Sequence, residues 1–372
     1  MHRKEYFLRH RYVLIALQVL VVTMAALFSI TRETTMFVSL RSLFFLLLVC
    51  SLSAFLSWTL ETFTRFCFCL GLAGTFMSIV TLASVVCLKL RLNLLTFAIG
   101  HPNYLYGLPQ VTSCFGNPNT FGIFLVFCIA SILILFALYR EKREKNRLIA
   151  VSFYIVLALQ LSALFLTFSR AAFIALALFA SCFIWFNGRR YCYLPMVLAL
   201  APILISKQTF EKGSMTEVLN ALSSGRIKLW AEALKLFIQH PLFGTGLGSW
   251  FTITGNHLSV HNTYLHLAVE LGLAGLTLYL VFIALFLRDI QKKMNQAVLF
   301  KSRYIVLSGL YSLCIGLLVH QLFESYLYHG LPLFLFAVIL LYTPVQESGT
   351  LYHFRKSPWR EQGTSLNYRK AG

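Results

Sequence analysis

Hydrophobic positions in this chain come in long unbroken runs, not in the alternating or amphipathic patterns of soluble elements. The runs lie at 12–30, 42–60, 66–88, 120–139, 148–168, 171–186, 191–206, 262–287, 304–322 and 330–345. Most are long enough to cross about 30 Å of hydrocarbon as a helix. The dyad alternation of an outer-membrane barrel is absent. The pattern predicts an all-α polytopic integral membrane protein of about 10 (10–12) transmembrane helices, folded as a single membrane domain over residues 1–372. The first run follows "MHRKEYFLRHRY" and resembles a signal peptide, but it lacks a small-residue cleavage site and is read as a retained first helix.

Between the runs, most connections are short. Two are long, 89–119 and 207–261, and they concentrate the irregular sequence. The second contains "SSGRIKLWAEALKLFIQHP". Lys228, Glu232, Lys235 and Gln239 form a polar stripe at helical spacing, with Ile227, Trp230, Leu234, Phe237 and Ile238 opposite. This predicts an amphipathic helix capped by Ser223 or Ser224 and ended before Pro241. "PLFGTGLGSW" follows as a glycine-rich turn and lacks the Lys-Ser/Thr ending of a phosphate-binding loop. In "FGNPNT", Asn119 or Thr120 is the expected cap of the run at 120–139.

Composition sharpens this picture. With 58% hydrophobic and 12% charged residues, a soluble globular or disordered chain is excluded. The net charge of +19 sorts by side of the membrane instead of marking nucleic-acid binding. With the N-terminus inside, 22 of the 32 Lys and Arg fall on one side: in the N-terminal segment, at Arg65, in "REKREKNR", in "GRR", between 288 and 303, and in the basic tail at 346–372. The positive-inside rule then puts both termini in the cytoplasm and both long loops outside. The nine cysteines form neither a disulfide framework nor a zinc pattern.

Three features do not fit a plain bundle. Arg226 opens the amphipathic helix and, at about 100° per residue, projects with Trp230 and Phe237, where it needs an anionic partner such as Glu217. Arg170 is the single charge in forty residues, at the turn expected near Ser169–Arg170 on the outer side. Asn262, His266 and Glu270 share one face of the run at 262–287, as chamber lining or as a brace between helices, with His261 at its start. Guanidinium groups bind phosphate oxygens, and histidine takes a proton from a hydroxyl near neutral pH. Together they suit a lipid-linked sugar and a hydroxyl acceptor. The one aspartate, Asp289, falls on the cytoplasmic side, so an Asp-x-Asp metal site is not available.

The strings "FGNPNTFG", "TFSRAAF", "SGRIKLWAEALKLFIQHPLFGTGLGSW" and "VHNTYLHLAVELGLAGL", in this order over residues 112 to 326, resemble the O-antigen ligase and Wzy-type polymerase superfamily. The resemblance implies a metal-independent, cofactor-free, inverting glycosyltransferase of the bacterial cytoplasmic membrane. It would move a glycan from an undecaprenyl-pyrophosphate donor to an acceptor hydroxyl on the outer face. By the same resemblance, Arg170 and Arg226 hold the donor pyrophosphate and His261 deprotonates or orients the acceptor. A repeat-unit polymerase is the favoured expectation, and a ligase to a lipid or other surface acceptor the alternative. A flippase or transporter of lipid-linked oligosaccharide is the alternative from another class; it should show charges deep in several runs, whereas here they gather at the outer rim, Glu270 excepted. A plain membrane scaffold leaves the three misfits without a reason.

Overall fold

The computed structural model describes Ser29 and residues 60–325, except 93, 106, 142–145, 189–192, 196–222, 224 and 256–257. The expected runs at 12–30, 42–60, 191–206 and 330–345 and the tail at 346–372 lie wholly or almost wholly outside the described residues. So does Glu217.

Eight α-helices are described: α1 (Leu60–Lys89), α2 (Pro118–Glu141), α3 (Arg147–Thr167), α4 (Arg170–Phe186), α5 (Arg226–Gln239), α6 (Ser249–Thr254), α7 (Thr263–Gln296) and α8 (Lys301–His320). Among them α1, α2, α3, α7 and α8 are long and apolar enough to cross a membrane, and α4 is a shorter apolar helix. The long connection before α2 is not wholly irregular. Strands β1 (Ile99–Leu105) and β2 (Leu108–Val111) pair there as an antiparallel hairpin, an element the hydrophobic pattern did not announce.

Helix boundaries follow local chemistry. Asn117, not Asn119 or Thr120, caps α2: its Oδ1 accepts the Asn119 and Thr120 N–H groups at 2.8 and 3.3 Å. Pro118 takes the first helical position, where its missing N–H costs nothing. The forty-residue apolar stretch divides where expected. Phe168 adopts a left-handed conformation after α3, and Ser169 caps α4 by accepting from Ala172 N.

The core is built around α2, against which α1, α3, α4 and α8 all pack. Phe121, Leu125, Val126 and Ile129 on α2 are buried. Lipid is as apolar as leucine, so helices in a membrane associate through close packing and buried hydrogen bonds rather than through expulsion of water. Both devices are present. Gly122 lies against Ser169 and Ala172, and Gly74 against Cys128. Gln160 of α3 donates to Gly71 O of α1 at 3.0 Å and to Thr75 Oγ1 at 3.2 Å.

Helix α7 is longer than the apolar run at 262–287 and is broken inside it. Gly272 has φ 65° and ψ −166°, which opens the ladder. The two lost i→i−4 bonds would have joined Leu273 N to Val269 O and Ala274 N to Glu270 O. Each of these four groups finds a substitute in residues 241–246. Thr245 N donates to Val269 O at 2.9 Å and Gly246 N to Glu270 O at 3.0 Å. Leu273 N donates to Pro241 O at 2.7 Å and Ala274 N to Leu242 O at 3.2 Å. Unpaired backbone is too costly to leave inside a bilayer, so the break and the glycine-rich turn are one structure. Gly244 and Gly272 permit it: a Cβ on Gly244 would collide with the Glu270 backbone, and one on Gly272 with the Leu242 carbonyl.

Candidate active site

The first residues of α2, α4, α5 and α7 gather at one end of the bundle, with the chain that follows α8. Residues 321–325 are stapled to the start of α7. Thr263 N donates to Gln321 O at 2.9 Å, Asn262 N to Ser325 Oγ at 2.8 Å, and Thr263 Oγ1 to Glu324 O at 2.9 Å. Asn262 is also the N-cap of α7, accepting from Leu265 N at 3.0 Å.

This staple fixes Glu324, whose side chain is only 5% exposed. The carboxylate is a hub for three elements. Oε1 accepts from Arg226 at 2.5 Å and from Asn119 Nδ2 at 2.6 Å. Oε2 lies 3.0 Å from His261 Nδ1. A carboxylate can only accept, so the imidazole donates from Nδ1, which in the neutral ring leaves Nε2 as the acceptor. This is the arrangement of a histidine base oriented by an acid. His261 itself has φ 52°, a left-handed conformation uncommon for a residue with a Cβ. Neighbours must impose it, and such positions cluster at sites of function.

Arg226 therefore does find an anionic partner, and it is Glu324. The demand created by its position is met within the chain. The contact engages one terminal nitrogen of a five-donor group. Helix α5 starts after Gly225, which stands at the cap position with φ 81°, instead of Ser223 or Ser224. Its packed face comprises Leu229, Trp230, Ala233, Leu236 and Phe237, which cluster with Trp250, Val260 and Val269. Leu234 and Ile238, expected on that face, are 48% and 72% exposed. The true stripe 226–230–233–237 carries Arg226 inward along with it.

Arg170 opens α4. Its neighbour Ser169 packs on Gly122 of α2, one turn along from Asn119, so Arg170 belongs to the same end of the bundle. His266 and Glu270 are fully buried and bonded to each other, Nε2 to Oε1, at 3.1 Å. Among the described residues, no three His, Cys, Asp or Glu side chains group as metal ligands. Glu324 and Asn119 were not singled out as site residues in the sequence. Glu324 sits in "HQLFES", directly after an apolar run, and nothing local marks it as different from any polar helix terminus.

Residues 155–280 match the model of a family described as O-antigen ligase. The match contains Arg170, Arg226, His261, Asn262, His266 and Glu270, and leaves Asn119 and Glu324 outside. An O-antigen polymerase of Salmonella muenchen is 23% identical over 195 residues, which is 48% of this chain and 46% of that relative. Over these residues the chain is similar to the O-antigen ligase and Wzy-type polymerase superfamily. The match spans about half the length of the Salmonella relative. That similarity to a membrane-protein family accords with the long apolar helices.

Proposed function

We propose that this protein is an inverting glycosyltransferase that extends or transfers undecaprenyl-pyrophosphate-linked glycans on the outer face of the bacterial cytoplasmic membrane. The observation that carries the reading is the Arg226–Glu324–His261 cluster. It joins a cation suited to phosphate with an oriented histidine at one end of a membrane bundle. The distribution of basic residues supports placing that end outside.

In this reading, His261 Nε2 takes the proton from the acceptor hydroxyl as its oxygen attacks the anomeric carbon of the donor sugar. The bond from that carbon to the pyrophosphate oxygen breaks, and its electron pair leaves with the pyrophosphate. Attack opposite the leaving group inverts the anomeric centre. Charge on the departing pyrophosphate is held by Arg170 and by the guanidinium nitrogens of Arg226 turned away from Glu324. The start of α4 adds the positive end of a helix dipole. Arginine charge and these donors supply the stabilisation for which other transferases employ a metal. After transfer, Glu324 steadies the protonated imidazole.

We favour repeat-unit polymerisation, since the Salmonella relative is an O-antigen polymerase; similarity to the O-antigen ligase family supports transfer to another acceptor as the second reading. The test is incubation of purified protein with its own lipid-linked repeat unit. A ladder of products supports the polymerase. A single product on an added acceptor supports the ligase. Absence of any product with either acceptor class overturns the transferase reading. His261→Ala is expected to lower turnover by about 10² to 10⁴, the usual range for loss of a general base, with donor binding retained.

A further inference from the structure

Glu270 is buried in the broken part of α7, far along the helix from the acceptor histidine, and the mechanism above does not use it. Its carboxylate is 0% exposed and yet has three donors around it. Oε2 accepts the Gly248 N–H at 2.9 Å, and Oε1 accepts the Trp250 N–H at 3.3 Å and the His266 Nε2–H at 3.1 Å. Two of these are backbone groups at the start of α6, which a helix of this length leaves without intrahelical partners. A membrane-embedded carboxylate thus replaces the water that would otherwise solvate the α6 terminus.

From there a continuous set of contacts leads to His261. Trp250 is fully buried, and its indole Nε1 donates to Leu258 O at 2.9 Å. Two residues on, Val260 O accepts from Trp230 Nε1 at 3.0 Å. Trp230 stands one helical turn after Arg226. The segment 258–260 is therefore clamped by two indoles, one from α6 and one from α5, and the next residue is His261 in its left-handed conformation. A residue without its own favourable backbone basin needs its flanks held. The side chain must also stay at 3.0 Å from Glu324.

We propose that Glu270 is a positioning residue for the transfer reaction: its buried carboxylate fixes the first turn of α6 and, through Trp250, the segment that presents His261. The inference rests on the assignment of His261 as base. Substitution by glutamine is the sharpest probe. An amide has one accepting oxygen where the carboxylate has two, and its NH2 group faces backbone N–H donors that it cannot satisfy. The volume is unchanged, so loss of packing is not the cause of any effect.

The experiment uses the full-length protein in lipid nanodiscs with its own lipid-linked repeat unit. Glu270→Gln is expected to lower kcat roughly 10²-fold, the effect of misplacing a catalytic group by about an ångström. KM for the donor and affinity for undecaprenyl pyrophosphate should change little. The double variant Glu270→Gln/His261→Ala should be no slower than His261→Ala alone, because both remove one function. Trp250→Phe, which deletes the indole N–H of the relay along with part of the ring, should lower kcat in the same direction with donor affinity retained, and serves if Glu270→Gln does not fold. A purely bracing carboxylate would instead reduce the yield of folded protein with wild-type kcat per folded molecule, and that result overturns the proposal. So does a double variant slower than His261→Ala by the full factor of the Glu270 variant. Wild-type turnover in His261→Ala overturns the base assignment itself and this inference with it, whereas a slow His261→Ala beside a fast Glu270→Gln overturns the positioning role alone.

Discussion

Replacing Glu324 by glutamine tests the site at its centre. The carboxylate serves Arg226 and Asn119 through Oε1 and His261 through Oε2. In the variant, the amide oxygen turns toward Arg226 and Asn119, because both are donors. The NH2 group then faces His261 Nδ1, which has to accept, and the ring proton moves to Nε2. The nitrogen that should take the acceptor proton is occupied. Turnover should fall by about 10² to 10⁴, or roughly 3 to 5 kcal/mol of transition-state stabilisation at about 1.4 kcal/mol per decade. Stability should suffer far less, because the geometry of the hub survives and only charge assistance to Arg226 is lost, about 1 to 2 kcal/mol. Glu324→Ala removes both carboxylate oxygens at once and leaves a guanidinium that is 16% exposed without its anion. Breaking a buried pair in this way costs about 3 to 5 kcal/mol, and the residual exposure of Arg226 should place the loss near the lower value. The assay pairs turnover of lipid-linked repeat unit with thermal unfolding of the same purified samples. Near-wild-type turnover in Glu324→Gln, with the fold intact, would refute the orienting role and the tautomer on which the mechanism depends.

Other outcomes follow from the same geometry. Arg226→Lys and Arg170→Ala should each yield folded protein with most activity lost and weaker binding of undecaprenyl pyrophosphate; unchanged affinity in both would remove the donor site. Gly272→Ala puts a Cβ against the Leu242 carbonyl at a φ of 65°, and strain plus overpacking should destabilise by about 3 kcal/mol, read as a lowered Tm. Transfer activity should survive EDTA, and restoration of a lost activity by Mg²⁺ or Mn²⁺ would disprove charge stabilisation by arginine alone. Cysteine at position 212 should label with an impermeant thiol reagent on intact cells once native cysteines are removed; labelling at position 143 instead would invert the sidedness.

The apolar runs by themselves determined that the chain is a helical membrane protein, because bilayer thickness sets element length whatever the neighbours are. They also located the α3–α4 turn, since forty apolar residues exceed one crossing and Ser169 is a capping residue. The inward aim of Arg226 was legible because it depends only on helical periodicity along α5. Its partner was not: Glu324 lies 98 residues away and reaches the site only because α7 and the end of α8 are stapled together. The break in α7 was equally hidden. A glycine inside an apolar run is common in membrane helices, and only the pairing of residues 241–246 with the opened ladder makes Gly272 leave the helical region. The spacing of His266 and Glu270 left lining and bracing equally open, because a shared helix face says nothing of what lies against it. Packing of the α6 terminus on that face puts Gly248 and Trp250 at the carboxylate. Periodicity is a local property that the sequence carries in itself; the partners of a buried charge are set by which distant segments the fold brings within about 3 Å, the reach of a hydrogen bond.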